Sequence, residues 1–396
     1  MMRLSRRRFM GRAGRAGALA AGAMAIGGRG AEAAAGWLAR GGQPEPAIGV
    51  LRLDSNENPV GPFPEVVEAV RAALRHSGRY PRFMRPGLVQ DLAKAHGVTP
   101  EHVLPGSGSG EILRMAVDAF TSAGHPLVAG LPTFESPAAR ARQLGRPVIE
   151  IPVDARTLEL DLDAVAGRAK GAGLVFLCNP NNPTGLLHGA AAVRGLVSRI
   201  RATSPDTFIL IDEAYHDYVD DPSYESAVPM ALADPKVFVT RTFSKAYGMA
   251  GIRLGYAVGH PDTMKRMAPW RLGNSVNLLA FAAGQAALGA RGALGAERVR
   301  NAAARAFTAK VFGDLGFTVA PSQANFVFAD IRRDAKAFQE ACRAEGVMVG
   351  RPFPPCETWT RVSIGTMAEM ERAAAVFGTL LAAPPGATTA RPVPGR

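Results

Sequence analysis

Thr242-Phe243-Ser244-Lys245-Ala246-Tyr247-Gly248-Met249-Ala250-Gly251-Ile252-Arg253 sets one lysine in a loop of small residues just after an apolar run, with an arginine eight residues on. A lysine so placed is a candidate Schiff-base nucleophile. The chain holds only seven lysines among its 46 basic residues. Arginine therefore supplies most of the surface charge, and a lysine is kept where an amine is needed.

The run before this loop is one of six short β-rich runs: Pro126–Gly130, Val148–Val153, Leu174–Asn179, Phe208–Asp212, Val237–Thr242 and Leu254–Val258. They alternate with Ala/Leu/Arg-rich helical stretches and carry almost no charge, as expected of strands covered on both faces. The pattern predicts an α/β domain with a mainly parallel sheet. Ligands of such sheets gather at the carboxyl ends of strands. The polar clusters sit at those ends: Asn179 onward, Asp212 to Tyr215, and Thr242 to Lys245.

Beyond a helical span at Leu278–Phe312 the pattern changes to Phe317–Ala320, Asn325–Ala329, a helix around Ala335–Glu345, Val347–Val349, Arg361–Ile364 and a last helix near Met367–Leu381. This reads as a smaller α+β lobe. The Pro/Gly-rich stretch Pro384 to Arg396 is expected to be disordered.

The amino terminus differs from both. Ser5-Arg6-Arg7-Arg8-Phe9-Met10 precedes a Gly/Ala-rich, weakly apolar run to Gly28 and then Ala31-Glu32-Ala33. This has the form of a twin-arginine export signal, too short and glycine-rich for a stable membrane anchor. Residues 1–33 hold seven arginines and one glutamate, so without them the formal charge of +12 falls to +6. No basic run interleaved with aromatics remains, and a nucleic-acid partner is not expected. Cys178, Cys342 and Cys356 lack metal-ligand spacing, and no metal is expected. Cys178 reads as core, and whether Cys342 and Cys356 pair stays open.

Three further constellations suggest chemistry. In Asp212-Glu213-Ala214-Tyr215 an acid closes a strand, where a buried carboxylate needs a cationic partner such as a protonated pyridine nitrogen; a helix N-cap is the plainer reading. Asn179-Pro180-Asn181-Asn182-Pro183-Thr184-Gly185 is a rigid turn whose amide could donate to a phenolate oxygen, or an ordinary turn. Gly106-Ser107-Gly108-Ser109-Gly110, before a helical stretch Glu111–Phe120, could cradle a phosphate with Thr242, Ser244 and Arg253. Phe134 could stack on a flat ring or pack in the core. Arg361 begins a strand and suits a carboxylate clamp, though a surface arginine would look the same.

Together these residues resemble the fold-type I aminotransferases that use pyridoxal 5′-phosphate, in the histidinol-phosphate aminotransferase-like branch. Leu53-Asp54-Ser55-Asn56-Glu57-Asn58-Pro59 adds to the match, which runs from about Leu51 to Leu381. The resemblance implies a large domain (80–290) with a seven-stranded, mainly parallel sheet sandwiched by helices, a small C-terminal domain (291–383), and an N-terminal arm (34–79) that joins it in part. It implies that Lys245 holds the cofactor through its amine and moves the proton between Cα and C4′. Asp212 would bind the ring nitrogen, and Asn182 and Tyr215 the ring hydroxyl. Gly108, Ser109, Thr242, Ser244 and Arg253 would hold the phosphate, with Phe134 stacked on the ring. Tyr80 matches a tyrosine that reaches the neighbouring subunit's phosphate, which implies a homodimer with shared sites. Arg361 would bind the substrate α-carboxylate and Arg351 a second anionic group, with Asn56 also on the substrate side. The motif departs at Val60, where many histidinol-phosphate enzymes have an aromatic residue.

The expected activity is transfer of an amino group between an amino acid or amine-bearing metabolite and a 2-oxo acid, in the periplasm after export. Histidinol-phosphate transamination and a decarboxylase or lyase of the same fold are alternatives. So is a non-catalytic protein that binds the cofactor or an amino acid.

Overall fold

Each central strand alternates its side chains between two buried faces, and that alternation aims the chemistry. The structure, a computed structural model, describes residues 49–382. The expected export signal, residues 34–48 of the arm and the tail from 384 lie outside the described residues. In chain order the strands are β1 (Leu51–Leu53), β2 (Val103–Gly106), β3 (Leu127–Leu131), β4 (Val148–Pro152), β5 (Leu174–Cys178), β6 (Phe208–Asp212), β7 (Val237–Thr242) and β8 (Gly255–Gly259). They are followed by β9 (Thr318–Val319), β10 (Phe326–Asp330), β11 (Val347–Val349) and β12 (Trp359–Ser363).

A seven-stranded sheet runs in the order β2-β8-β7-β6-β5-β3-β4, parallel except where β8 meets its two neighbours. Val175, Leu177, Ile209 and Ile211 belong to one buried cluster that also takes in Val193, Leu196 and Ile200 of helix Ala190–Thr203 and Val228 and Ala231 of helix Val228–Ala233. Leu174, Phe176, Phe208 and Leu210 pack on the other side, against Ile112, Met115 and Ala116 of helix Gly108–Phe120. Since side chains repeat every second residue, Asp212 continues the Phe208 and Leu210 face and emerges on the side of that helix. Glu213, one residue on, turns away. Sequence order reverses between β3 and β5, the kind of switch point at which α/β sheets bind ligands.

The smaller domain carries an antiparallel sheet, β12-β10-β9, while β1 pairs in parallel with β11. The β1–β11 pairing brings Asp54 to Asn58, the residues that follow β1, beside the small domain. Three expectations are corrected. The helical span 278–312 is two helices, Leu278–Gly289 and Arg291–Asp314, broken at Ala290 with ψ of 48°. The helix expected from Glu111 begins at Gly108, so Gly108 and Ser109 belong to its first turn; Glu111 Oε2 accepts from the N-cap Ser107 N at 2.6 Å. Arg361 lies in the middle of β12 rather than at its start, because Trp359 and Thr360 are themselves buried and paired with β10.

Candidate active site

The carboxyl ends of β5, β6 and β7 open into a cleft of about 710 Å³, closed on its far side by Asp54–Glu57, Arg351, Phe353 and Arg361. Lys245, Asp212, Tyr215, Asn182, Asn56, Ser109, Phe134, Thr242, Ser244, Arg253, Arg351 and Arg361 all line it. Tyr80 does not, and is 74% exposed on the surface.

Lys245 Nζ donates to the carbonyls of Asn56 at 3.0 Å and Ser55 at 3.4 Å, and stands 5.8 Å from the centre of the Tyr215 ring. Burial, reinforced by the Arg361 charge, lowers its pKa to about 8. An amine so tuned is in part unprotonated near neutrality. Asp212 is pushed up to about 7, chiefly by burial. Its Oδ1 has no hydrogen-bond partner. A buried carboxylate in that condition is completed by a cation that donates a proton to it.

The other residues build the walls. Tyr215 is buried, accepts from Asn56 Nδ2 at 3.0 Å, and has its pKa raised by burial. Asn182 Oδ1 accepts from Arg361 Nη1 at 2.6 Å, while Arg361 Nη2 donates to Asp54 O at 2.7 Å. Arg361 Nε is unpartnered, and burial lowers its pKa to about 10, which leaves it charged. Its guanidinium stands over Phe353 at 4.7 Å and Phe326 at 5.6 Å. At the helix start a Cβ on Gly108 would come within 2.3 Å of Arg253 Nη2, and one on Gly255 within 2.3 Å of Ser109 N. Only glycine permits this close cradle of backbone, guanidinium and the Ser244 hydroxyl, which lies 3.4 Å from Arg253 Nη1.

Sequence reading missed several supports. Glu213 and Arg241 form a buried ion pair at 2.8 Å, and Glu213 also accepts from Ala227 N at 2.6 Å, bracing the strand ends that carry Asp212 and Thr242. Asn325 Nδ2 donates to Asn56 O at 3.0 Å, and Ser363 Oγ joins both Asn56 N and Asn56 Oδ1. Asn56 itself sits at φ 53°. Only the β6–β7 register, which sets Asp212 opposite Thr240, hints that Glu213 and Arg241 are near one another. Cys178, Cys342 and Cys356 are free thiols. Among the described residues there is no cluster of metal-ligating side chains, and no helix is long and apolar enough to cross a membrane.

The fold and this set of side chains define a pyridoxal 5′-phosphate enzyme of fold type I. The family model "Aminotransferase class I and II" matches residues 48–377, and the chain belongs to that family. It is 36% identical to the histidinol-phosphate aminotransferase of Moorella thermoacetica, over 81% of this chain and 83% of that protein. It is also 36% identical to the aromatic amino acid aminotransferase of Mycobacterium avium, over 81% and 89% respectively. The crystal structure of histidinol-phosphate aminotransferase from Sinorhizobium meliloti in complex with pyridoxal-5′-phosphate superposes with a TM-score of 0.77 at 28% identity, covering 84% of this chain and 91% of that one. The protein is a pyridoxal-phosphate-dependent transaminase.

The residues fit that cofactor: Asp212 Oδ1 lacks a donor that a ring N–H provides, and the Gly108 cradle offers backbone and cationic groups to a phosphate. When bound, the cofactor supplies an electron-withdrawing ring that acidifies the substrate Cα–H. Asp212 would then face the ring nitrogen and favour its protonated form, and Lys245 would hold and return the proton.

Proposed function

We propose that the transaminase takes an α-amino acid whose α-carboxylate docks on Arg361, with the side chain directed past Phe353 toward Arg351. The Arg361 guanidinium carries this reading, because it lines the cleft as a buried cation whose polar contacts are to Asn182 Oδ1 and Asp54 O, with no carboxylate paired to it among the described residues. The relatives named aromatic amino acid aminotransferases fit this docking, whereas histidinol phosphate, which has no α-carboxylate, is the competing substrate and belongs in the screen. The test is a donor–acceptor screen on purified holoenzyme, followed by borohydride reduction and peptide mass mapping. Amino exchange with α-amino acids and a label on Lys245 are expected; exchange with amines lacking an α-carboxylate, at equal efficiency, would overturn the docking.

Two finer parts of the proposal rest on sequence. Tyr80, exposed in its own chain, serves the phosphate site of a second copy in a homodimer; a monomer by light scattering at assay concentration would refute it. The twin-arginine motif at Arg6-Arg7 directs the protein to the periplasm, which fractionation with and without an Arg6→Lys/Arg7→Lys change tests.

A further inference from the structure

Glu135 and Arg351 face each other across the mouth of the cleft and form an ion pair. Glu135 begins the turn into helix Ser136–Gln143, and Arg351 lies on the loop that follows β11. Both line the cleft. The Arg351 guanidinium stands 4.3 Å from the centre of the Phe353 ring, the same ring that Arg361 covers at 4.7 Å. The carboxylate clamp and the second arginine thus share one aromatic wall.

Glu135 occupies the N-cap position of its helix, and its side chain makes no capping hydrogen bond. Glutamate is not among the residues that favour this position as a cap, so its side chain is free for another partner. Here the carboxylate reaches over the cleft to Arg351. With side chains 47% and 59% exposed, this pair belongs to the weakest class of ion pair, so a ligand can exchange into it. An anionic ligand group that takes Arg351 nevertheless leaves the Glu135 carboxylate beside it, and like charges repel. An uncharged side chain leaves the pair intact and packs on Phe134 and Phe353.

We propose that Glu135 is a specificity-determining residue: by holding Arg351, it sets the distal subsite to accept uncharged, flat or apolar side chains ahead of anionic ones. A transaminase hosts its donor and its acceptor in turn at one site. A dicarboxylate enters this one only as Arg351 changes partner. The inference rests on the placing of the α-carboxylate at Arg361.

The test measures dissociation constants of two unreactive probes, glutarate and 3-phenylpropionate, on holoenzyme by calorimetry. In Glu135→Gln the constant for glutarate falls about three- to tenfold, while that for 3-phenylpropionate stays within about twofold. In an Arg351→Gln background, Glu135→Gln changes neither. An unchanged ratio of the two constants, an equal shift in both, or a shift that persists without Arg351 overturns the inference alone. If wild-type holoenzyme binds neither probe at millimolar concentration, the Arg361 docking falls and the inference with it.

Discussion

The floor of the cleft and its lip are built in different ways. Asp212, Asn182, Thr242 and Lys245 stand on or just beyond the ends of adjacent parallel strands, so main-chain ladders fix their spacing before any side chain is considered. The lip is assembled from Asn56, Glu135, Asn325, Arg351, Arg361 and Ser363, drawn from several segments distant in sequence, whose partners lie as much as 307 residues away. A ladder-built floor tolerates little positional error and holds the reacting groups. The lip depends on individual side-chain hydrogen bonds, and so it is where substrate preference can change with the chemistry preserved. Substitutions in the floor should therefore lower kcat, whereas those in the lip should act on KM.

Lys245→Ala tests the floor most severely. Loss of the amine that holds and returns the proton is expected to lower kcat by about 10⁴-fold or more, with restoration of part of the rate by added small amines. Retention of even a tenth of the wild-type rate, in stopped-flow half-reactions, would break the distinction at its strongest point.

Asp212→Asn comes next, at about 10²- to 10³-fold in kcat, since one preorganised charge is removed and the side-chain shape kept. It also has a signature independent of activity. The Asp212 pKa is raised from 3.8 to about 7, so the folded apoprotein holds this proton more tightly than the unfolded chain does. The stabilisation is complete below about pH 4 and is lost as pH rises through 7. Apoprotein Tm should therefore carry a component that declines between pH 4 and 7, and Asp212→Asn should remove it. Because bound cofactor provides the cationic partner, the holoenzyme should show less of that decline. Differential scanning calorimetry of the two forms, with and without the substitution, decides it.

What could be read from the chain follows the same division. The strands carrying the floor were evident to within one residue at each end, because runs such as Leu174–Cys178 and Phe208–Asp212 are uncharged, buried on both faces and followed at once by polar residues. Lys245 and Asp212 stood out in that local pattern, while their roles came from the family resemblance. Arg361 was recognisable by type, though its mid-strand setting depends on pairing with β10, which no local pattern specifies. Asn325 and Ser363 look like ordinary turn and strand residues, and their role exists only because β1 adds to β11 and brings Asn56 beside them. Glu135 was hidden in another way. An acid at a helix start reads as a charge favoured by the helix dipole, and only its geometry shows the carboxylate turned to Arg351.

Arg361→Lys probes the lip with charge preserved. Lysine cannot match the fork that reaches Asn182, Asp54 and a carboxylate together, and hydrogen bonds to charged groups are worth about 1.5–3 kcal/mol. A fall of about 10- to 100-fold in kcat/KM, carried mainly by KM for both donor and acceptor, is expected. Equal losses in kcat at saturating substrate would place Arg361 with the floor.

Asn325→Ala is the mildest and discriminates best, because Asn325 touches no reacting group. Its amide donates to the carbonyls of Asn56 and Glu57, and Asn56 O is also the acceptor nearest Lys245. The two contacts share one carbonyl. Removing the amide leaves Asn56 O with Lys245 as its remaining side-chain donor and frees the segment Asp54–Glu57 to shift. Stability should drop by about 1–2 kcal/mol, the usual consequence of a lost buried hydrogen bond. KM should rise a few-fold while kcat stays within about threefold, since floor geometry is held by the β6–β7 ladder rather than by Asn56. A kcat loss comparable to that of Asp212→Asn, at unchanged KM, would mean that the Asn56 carbonyl positions Lys245 for proton transfer, and the boundary between lip and floor would then run through Asn56 itself.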